Sequence, residues 1–240
     1  MLATMSSSLI VTESGPEVVD TQEAYAGDGD TLIHVSHSSV NYKDAMALAG
    51  KGIARAHPLI PGIDLVGTVT ESADARFSPG DGVVLNGDGI GESRHGGFAT
   101  RARVRPDALV HLPAALTAQR AAAIGTAGFT AMLAVLRLED AGLTPADGDV
   151  LVTGASGGAG SIAIALLAGR GHRVIASTGR GEEHGEYLRS LGAAEVVDLI
   201  MAEFDRLGAE AVAADASARR STSWVTATAD PLIEDETSGV

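Results

Sequence analysis

The 240-residue chain has no cysteine. That excludes disulfides, thiol nucleophiles, iron–sulfur clusters and thiolate zinc sites together, while leaving the redox compartment open. Aromatic residues are scarce as well, at 3%, so the core has to be built from aliphatic and small side chains. Positive charge is the third shortage. Lys and Arg number 17 against 31 Asp and Glu, a formal net charge of −14, and no basic run offsets it. Such a chain repels nucleic acid and anionic membrane. No window approaches the roughly 20 apolar residues of a membrane span, and Met1 to Thr12 lacks the basic start and apolar stretch of a signal peptide. The expectation is a cytoplasmic protein with neither a nucleic-acid nor a membrane partner.

Glycine, by contrast, is abundant: 30 residues, where about 7% of a chain is usual. The glycines stand singly at turns, except for one dense cluster. From Ser8 to about Leu112 short β-like runs (9–12, 31–36, 64–71, 82–85, 98–104 and 109–112) alternate with turns such as Ser78-Pro79-Gly80-Asp81-Gly82, with a helix-compatible stretch at 41–49. Beyond Pro113 the texture changes. Two helical runs, 117–123 and 129–138, lead into strand 149–153, helix 158–169, strand 173–177, helix 182–191 and strand 195–198. This β-α-β-α-β succession predicts a parallel sheet with right-handed crossovers. After about Gly208 the periodicity dissolves, leaving a marginal helix at 202–214 and a loose tail.

The cluster, Gly154-Ala155-Ser156-Gly157-Gly158-Ala159-Gly160, follows an apolar strand and opens a helix. Glycines there permit a tight turn, and the amides of Gly157, Gly158 and Ala159 can receive a pyrophosphate with help from the helix dipole. The bland alternative is a glycine-rich turn without a ligand. About 20 residues further on, an NAD site places an acid on the ribose 2′-hydroxyl. This chain has Ser177-Thr178-Gly179-Arg180 instead. A guanidinium with hydroxyl neighbours suits a 2′-phosphate, so Ser156, Ser177, Thr178 and Arg180 point to NADPH. The competing reading of Arg180 is a solvated loop charge.

Four stretches, Ser38-Ser39-Val40-Asn41-Tyr42-Lys43-Asp44, Pro61-Gly62-Ile63-Asp64-Leu65-Val66-Gly67, Gly125-Thr126-Ala127-Gly128-Phe129-Thr130 and the glycine cluster, occur in the order that resembles the medium-chain dehydrogenase/reductase superfamily. Within it the chain is similar to the branch of NADPH-dependent acrylyl-CoA reductases and related quinone oxidoreductases, over roughly Leu9 to Leu207. The resemblance implies an α/β fold: a GroES-like, partly open β-barrel domain at 1–116 and the first half of a Rossmann NADPH-binding domain at 117–208. Residues 209–240 then form a diverged, truncated or out-of-frame tail, disordered, in place of the second Rossmann half.

It further implies that Tyr42 lies beside the nicotinamide, that Asn41 and Asp44 shape the same catalytic site, and that Thr126 lies near the cofactor phosphates or ribose. Lys43 could assist electrostatically. The alternatives are an ordinary half-buried tyrosine, a helix cap with a solvated first-turn acid, and a close-packed helix start. Zinc members carry a cysteine near the Asn41 position and a His-Glu pair where Ile63-Asp64 stands here, so no metal is expected. The loop from Asn86 to Gly97 resembles the wall of the substrate cleft, with Asp88 and His95 in place of aromatics. The implied activity is reduction of the activated C=C bond of a short enoyl-CoA such as acrylyl-CoA. The alternatives are quinone reduction and a catalytically impaired NADPH-binding protein; a homodimer is compatible with any of them.

Overall fold

Residues 5–22, 27–198 and 223–226 are described by the computed structural model, which divides into two units, Met1–Phe129 and Thr130–Val240. In the first unit, strand β1 (Met5–Thr12) turns back at Gly15, φ 120°, and pairs antiparallel with β2 (Gly15–Gln22). The sequence pattern passed over β2 because Pro16, Glu17, Val18 and Asp20 are all exposed, so no alternation marks it.

Next come β3 (Thr31–His37), helix α1 (Tyr42–Leu48), β4 (Asp64–Ser72), β5 (Gly82–Asn86), β6 (Arg101–Val104) and β7 (Val110–His111). The strands form one antiparallel sheet in the order β6-β3-β4-β5-β7. Ile33, Val35, Leu65, Val69, Val83, Leu85, Ala102 and Val104 alternate inward from it and pack with Phe77, Ile90 and Leu109. Each large aliphatic side chain buried in this way contributes about 1.5–3 kcal/mol.

The two expected helical runs are joined in α2 (Ala118–Asp140), which Gly125 breaks with φ 48°, ψ −160°. Before the break Ala121 and Ala122 pack with Val66; after it Ala131 and Val135 enter the core of the second unit. The division between units therefore falls inside α2 and not at 116/117. The expectation that no stretch is apolar enough to span a membrane does not hold for α2. Among the described residues α2 is long and apolar enough to cross a membrane, by length and composition, with a mean hydropathy of 1.6. Ala121, Ala122, Ala131 and Val135 of this helix are buried in protein cores, while Ile124, Phe129, Leu133 and Leu136 are exposed.

In the second unit β8 (Asp149–Thr153), α3 (Gly158–Gly169), β9 (Arg173–Ser177), α4 (Gly181–Ser190) and β10 (Ala193–Val197) follow the expected succession. Val150, Val152, Val174 and Ala176 from the strands meet Ile164, Leu167 and Leu188 from the helices. The tail differs from expectation. Ser223–Thr226 forms β11, paired in parallel with β8 from Ser223↔Val150 to Thr226↔Thr153. A four-residue strand 70 residues from its partner leaves no local period to detect. The sheet order β10-β9-β8-β11 carries the chain past the first β-α-β-α-β half, to the point where strand order reverses and open α/β sheets bind ligands. The expected helix at 202–214 lies outside the described residues, as does the rest of the tail.

Candidate functional site

The glycine turn is shaped by close backbone approaches. Gly154 takes φ 59°, and its carbonyl accepts the Gly157 N–H at 2.9 Å. A Cβ on Gly160 would lie 2.4 Å from that same carbonyl oxygen, so only glycine lets α3 start so near the turn. Gly157 is the N-cap of α3. The amides of Gly158, Ala159 and Gly160, in the first turn, have no acceptor within the helix. They and the positive end of the dipole make an anion site.

Three of the residues singled out from sequence meet beside this turn. Ser156 Oγ and Thr178 Oγ1 are 2.9 Å apart, Arg180 donates from Nη2 to Ser156 Oγ at 3.0 Å, and the Arg180 N–H donates to Thr178 Oγ1 at 3.2 Å. Thr178 is buried, and its N–H is held by the Val197 carbonyl at 3.1 Å. Ser177 is buried too; its carbonyl accepts the Ala155 N–H at 3.1 Å, tying the turn to β9. The guanidinium is exposed but folded back over the turn. Asp198 comes near, its Oδ1 4.0 Å from where a Cβ on Gly179 would stand. Amides, two hydroxyls and one guanidinium form a donor set that fits a dinucleotide carrying an additional phosphate.

The first unit holds the other candidates. Asn41 caps α1, and its N–H donates to Asp44 Oδ2 at 2.8 Å. Asp44 Oδ1 accepts the Ile63 N–H at 3.0 Å, so this carboxylate, only 1% exposed, is occupied by backbone groups. Burial pushes its carboxyl above the ordinary range, against the pull of the Asn41 and Ile63 hydrogen bonds. The structure therefore makes Asn41 and Asp44 a cap and a first-turn acid, but the acid is buried and not solvated. Tyr42, at the first position of α1, is 67% exposed rather than half-buried. Lys43 is engaged with Glu92 at 2.7 Å.

Thr126 is turned toward Asp64, which stands where zinc members of the superfamily carry the acid of a His-Glu pair. Asp64 Oδ1 accepts from Thr126 Oγ1 at 2.5 Å and Asn86 Nδ2 at 2.8 Å. Its Oδ2 accepts from Thr126 N–H at 3.0 Å, Asn41 Nδ2 at 2.8 Å and Ser39 Oγ. Burial tends to raise this carboxyl, but the bonds from Ser39, Thr126 and Asn86 outweigh it and hold it below its ordinary value. A lone acid inside the apolar run Pro61 to Val66 was the available signal. In the glycine-rich loop Arg94 pairs with Asp88 at 2.7 Å, and His95 Nδ1 accepts the Ile60 N–H at 3.0 Å. Burial pushes the His95 imidazole pKa down.

Residues 27–114 match the alcohol dehydrogenase GroES-like domain. The chain is 54% identical over 170 residues to the acrylyl-CoA reductase AcuI of Ruegeria pomeroyi, covering 70% of this chain and 51% of that one. Among solved structures it is similar to E. coli K-12 YhdH with bound NADPH (TM-score 0.76, 50% identity, 80% of this chain and 60% of that chain). It is also similar to Bacillus subtilis YhfP with NAD bound (TM-score 0.77, 44% identity, 81% and 60%). The chain spans about half to three-fifths of the length of the curated relatives it matches.

Proposed function

Because this chain belongs to the medium-chain dehydrogenase/reductase superfamily, we propose that it is a zinc-independent, cytoplasmic NADPH-dependent reductase of the activated C=C bond of a short enoyl-CoA such as acrylyl-CoA. The observation that carries the reading is the Ser156–Thr178–Arg180 cluster beside the first turn of α3. NADPH, when bound, supplies the hydride.

The chain's own residues do the rest. The amides of Gly158 and Ala159 would hold the pyrophosphate, with Gly157 shaping the turn because its own N–H is taken by the Gly154 carbonyl, and Arg180 with the two hydroxyls would hold the 2′-phosphate. Ser177 contributes through its backbone, fixing the turn against β9. Tyr42, exposed at the first position of α1, offers a phenol that hydrogen-bonds the thioester oxygen as charge develops there. Asn41 and Asp44 hold Tyr42 at the start of its helix, and Thr126 acts through Asp64.

The experiment follows NADPH oxidation by the 240-residue chain with acrylyl-CoA and, separately, with a simple quinone. Turnover of the thioester is expected. Turnover of the quinone alone would move the assignment to quinone reduction, and NADPH binding without turnover of either would leave a binding protein in its place. Absence of saturable NADPH binding would overturn the proposal.

A further inference from the structure

Resting on that proposed activity, we infer that Asp64 is the positioning residue of the first unit, holding the exposed side chains of Val40, Tyr42 and Ile124 in the arrangement that a bound acyl substrate meets.

Asp64 is only 1% exposed. It draws together three segments remote in sequence. Ser39 and Asn41 come from the loop before α1, Asn86 from the end of β5, and Thr126 from the break in α2. Its main-chain carbonyl binds Ser38 Oγ at 2.6 Å as well. All five groups on the carboxylate are donors, so the cage calls for a side chain that only accepts. An ionised carboxylate has about four lone-pair sites and no proton to direct against the donors. The packing is equally demanding, since a Cβ on Gly97 would lie 2.1 Å from the Asp64 carbonyl oxygen and one on Gly125 2.8 Å from Oδ2.

What this cage holds in place is visible from the neighbours of its donors. Val40 lies between Ser39 and Asn41, Tyr42 follows Asn41, and Ile124 precedes Gly125. These side chains are 80%, 67% and 43% exposed. Val40 and Tyr42 flank Asn41, the N-cap of α1, so the segment that Asp64 grips through the Asn41 side chain is the one that carries both. Asp44 adds a second grip, because it binds the backbone N–H of Asn41 while Asp64 binds its side chain. Buried acceptors thus fix the backbone directly beneath the exposed groups, the usual condition for a precise site.

Asp64→Asn tests this, since it keeps the shape while turning one acceptor into a donor that faces other donors. On the full chain three quantities are measured: NADPH Kd by fluorescence, kcat and KM with a short enoyl-CoA, and the ring resonances of Tyr42, assigned with Tyr42→Phe. The expected result is an unchanged NADPH Kd, kcat lowered by about 100-fold as for a misplaced reacting group, and a displaced Tyr42 signal. Ser39→Ala, which removes one donor and keeps the carboxylate, should lose far less kcat and displace the signal less. A folded Asp64→Asn protein with wild-type kcat and an unmoved Tyr42 signal would overturn the inference. If Asp64→Asn does not fold, Ser39→Ala and Asn86→Ala decide by the same readouts, and two unmoved signals count against it. If the wild-type chain turns over no thioester, the proposed activity fails, while the Tyr42 signal still decides the role of Asp64.

Discussion

Replacing Arg180 by alanine is the sharpest test of cofactor choice, because the surrounding geometry separates the charge from the scaffold. The side chain gives one hydrogen bond, from Nη2 to Ser156 Oγ at 3.0 Å, while the bond at 3.2 Å to Thr178 Oγ1 comes from its backbone N–H and survives truncation. Ser156 also keeps its 2.9 Å partner Thr178. The turn should therefore persist and only the guanidinium be lost. A hydrogen bond to a charged group contributes about 1.5–3 kcal/mol, and an exposed arginine belongs at the lower end. About 1.5 kcal/mol corresponds to roughly a tenfold rise in the Kd for NADPH. NADH has no 2′-phosphate, so its Kd should barely change. Fluorescence titration of both cofactors measures the ratio. Arg180→Glu should weaken NADPH further, since it sets like charges together. The wild-type preference should shrink as salt rises, because at about 0.15 M the screening length is already ~8 Å. An equal loss for NADH and NADPH, or no loss for either, would refute the assignment of Arg180 to the phosphate.

Two further expectations concern the first unit. Gly125→Ala places a side chain at φ 48°, ψ −160°, in a region nearly exclusive to glycine, at a cost of about 1–3 kcal/mol. Its Cβ would also meet Ser39 Oγ at 2.7 Å and Asp64 Oδ2 at 2.8 Å, adding about 1–3 kcal/mol for disturbed buried hydrogen bonds; an unchanged denaturant midpoint would contradict this. The pH dependence follows from Asp64, whose carboxyl is held below its ordinary value of 3.8 in the folded chain. A depressed acid stabilises the fold fully above its unfolded pKa and loses that contribution as pH falls through the folded value. Denaturation of wild type and Asp64→Asn should therefore differ most near neutrality and converge below pH 3.8. Asp44, shifted upward by burial, works in the opposite sense and favours the folded state when protonated. A wild-type-to-Asn difference that stays constant across the acid range would show that the Asp64 charge is not what the fold requires.

By itself the sequence determined the β-α-β-α-β succession from Asp149 to Val197, the glycine turn, and the choice of Ser156, Thr178 and Arg180 as candidates, whose hydrogen bonds to one another the fold supplies. These depend on local periodicity and on residues adjacent to consecutive strand ends, so short windows contain the needed information. Tertiary structure alone decided the role of Asp64, whose donors stand 22 to 62 residues away, so that no window contains them together. It also tied Asn41 and Thr126, both partly buried, to the buried Asp64 carboxylate and seated Asp44 in the core, while Tyr42 stands exposed. The same holds for the break at Gly125 and for β11. One depends on what a side chain there would strike, and the other on pairing across 70 residues with β8. A buried carboxylate is stable only once all its donors arrive, and that is a property of the assembled fold.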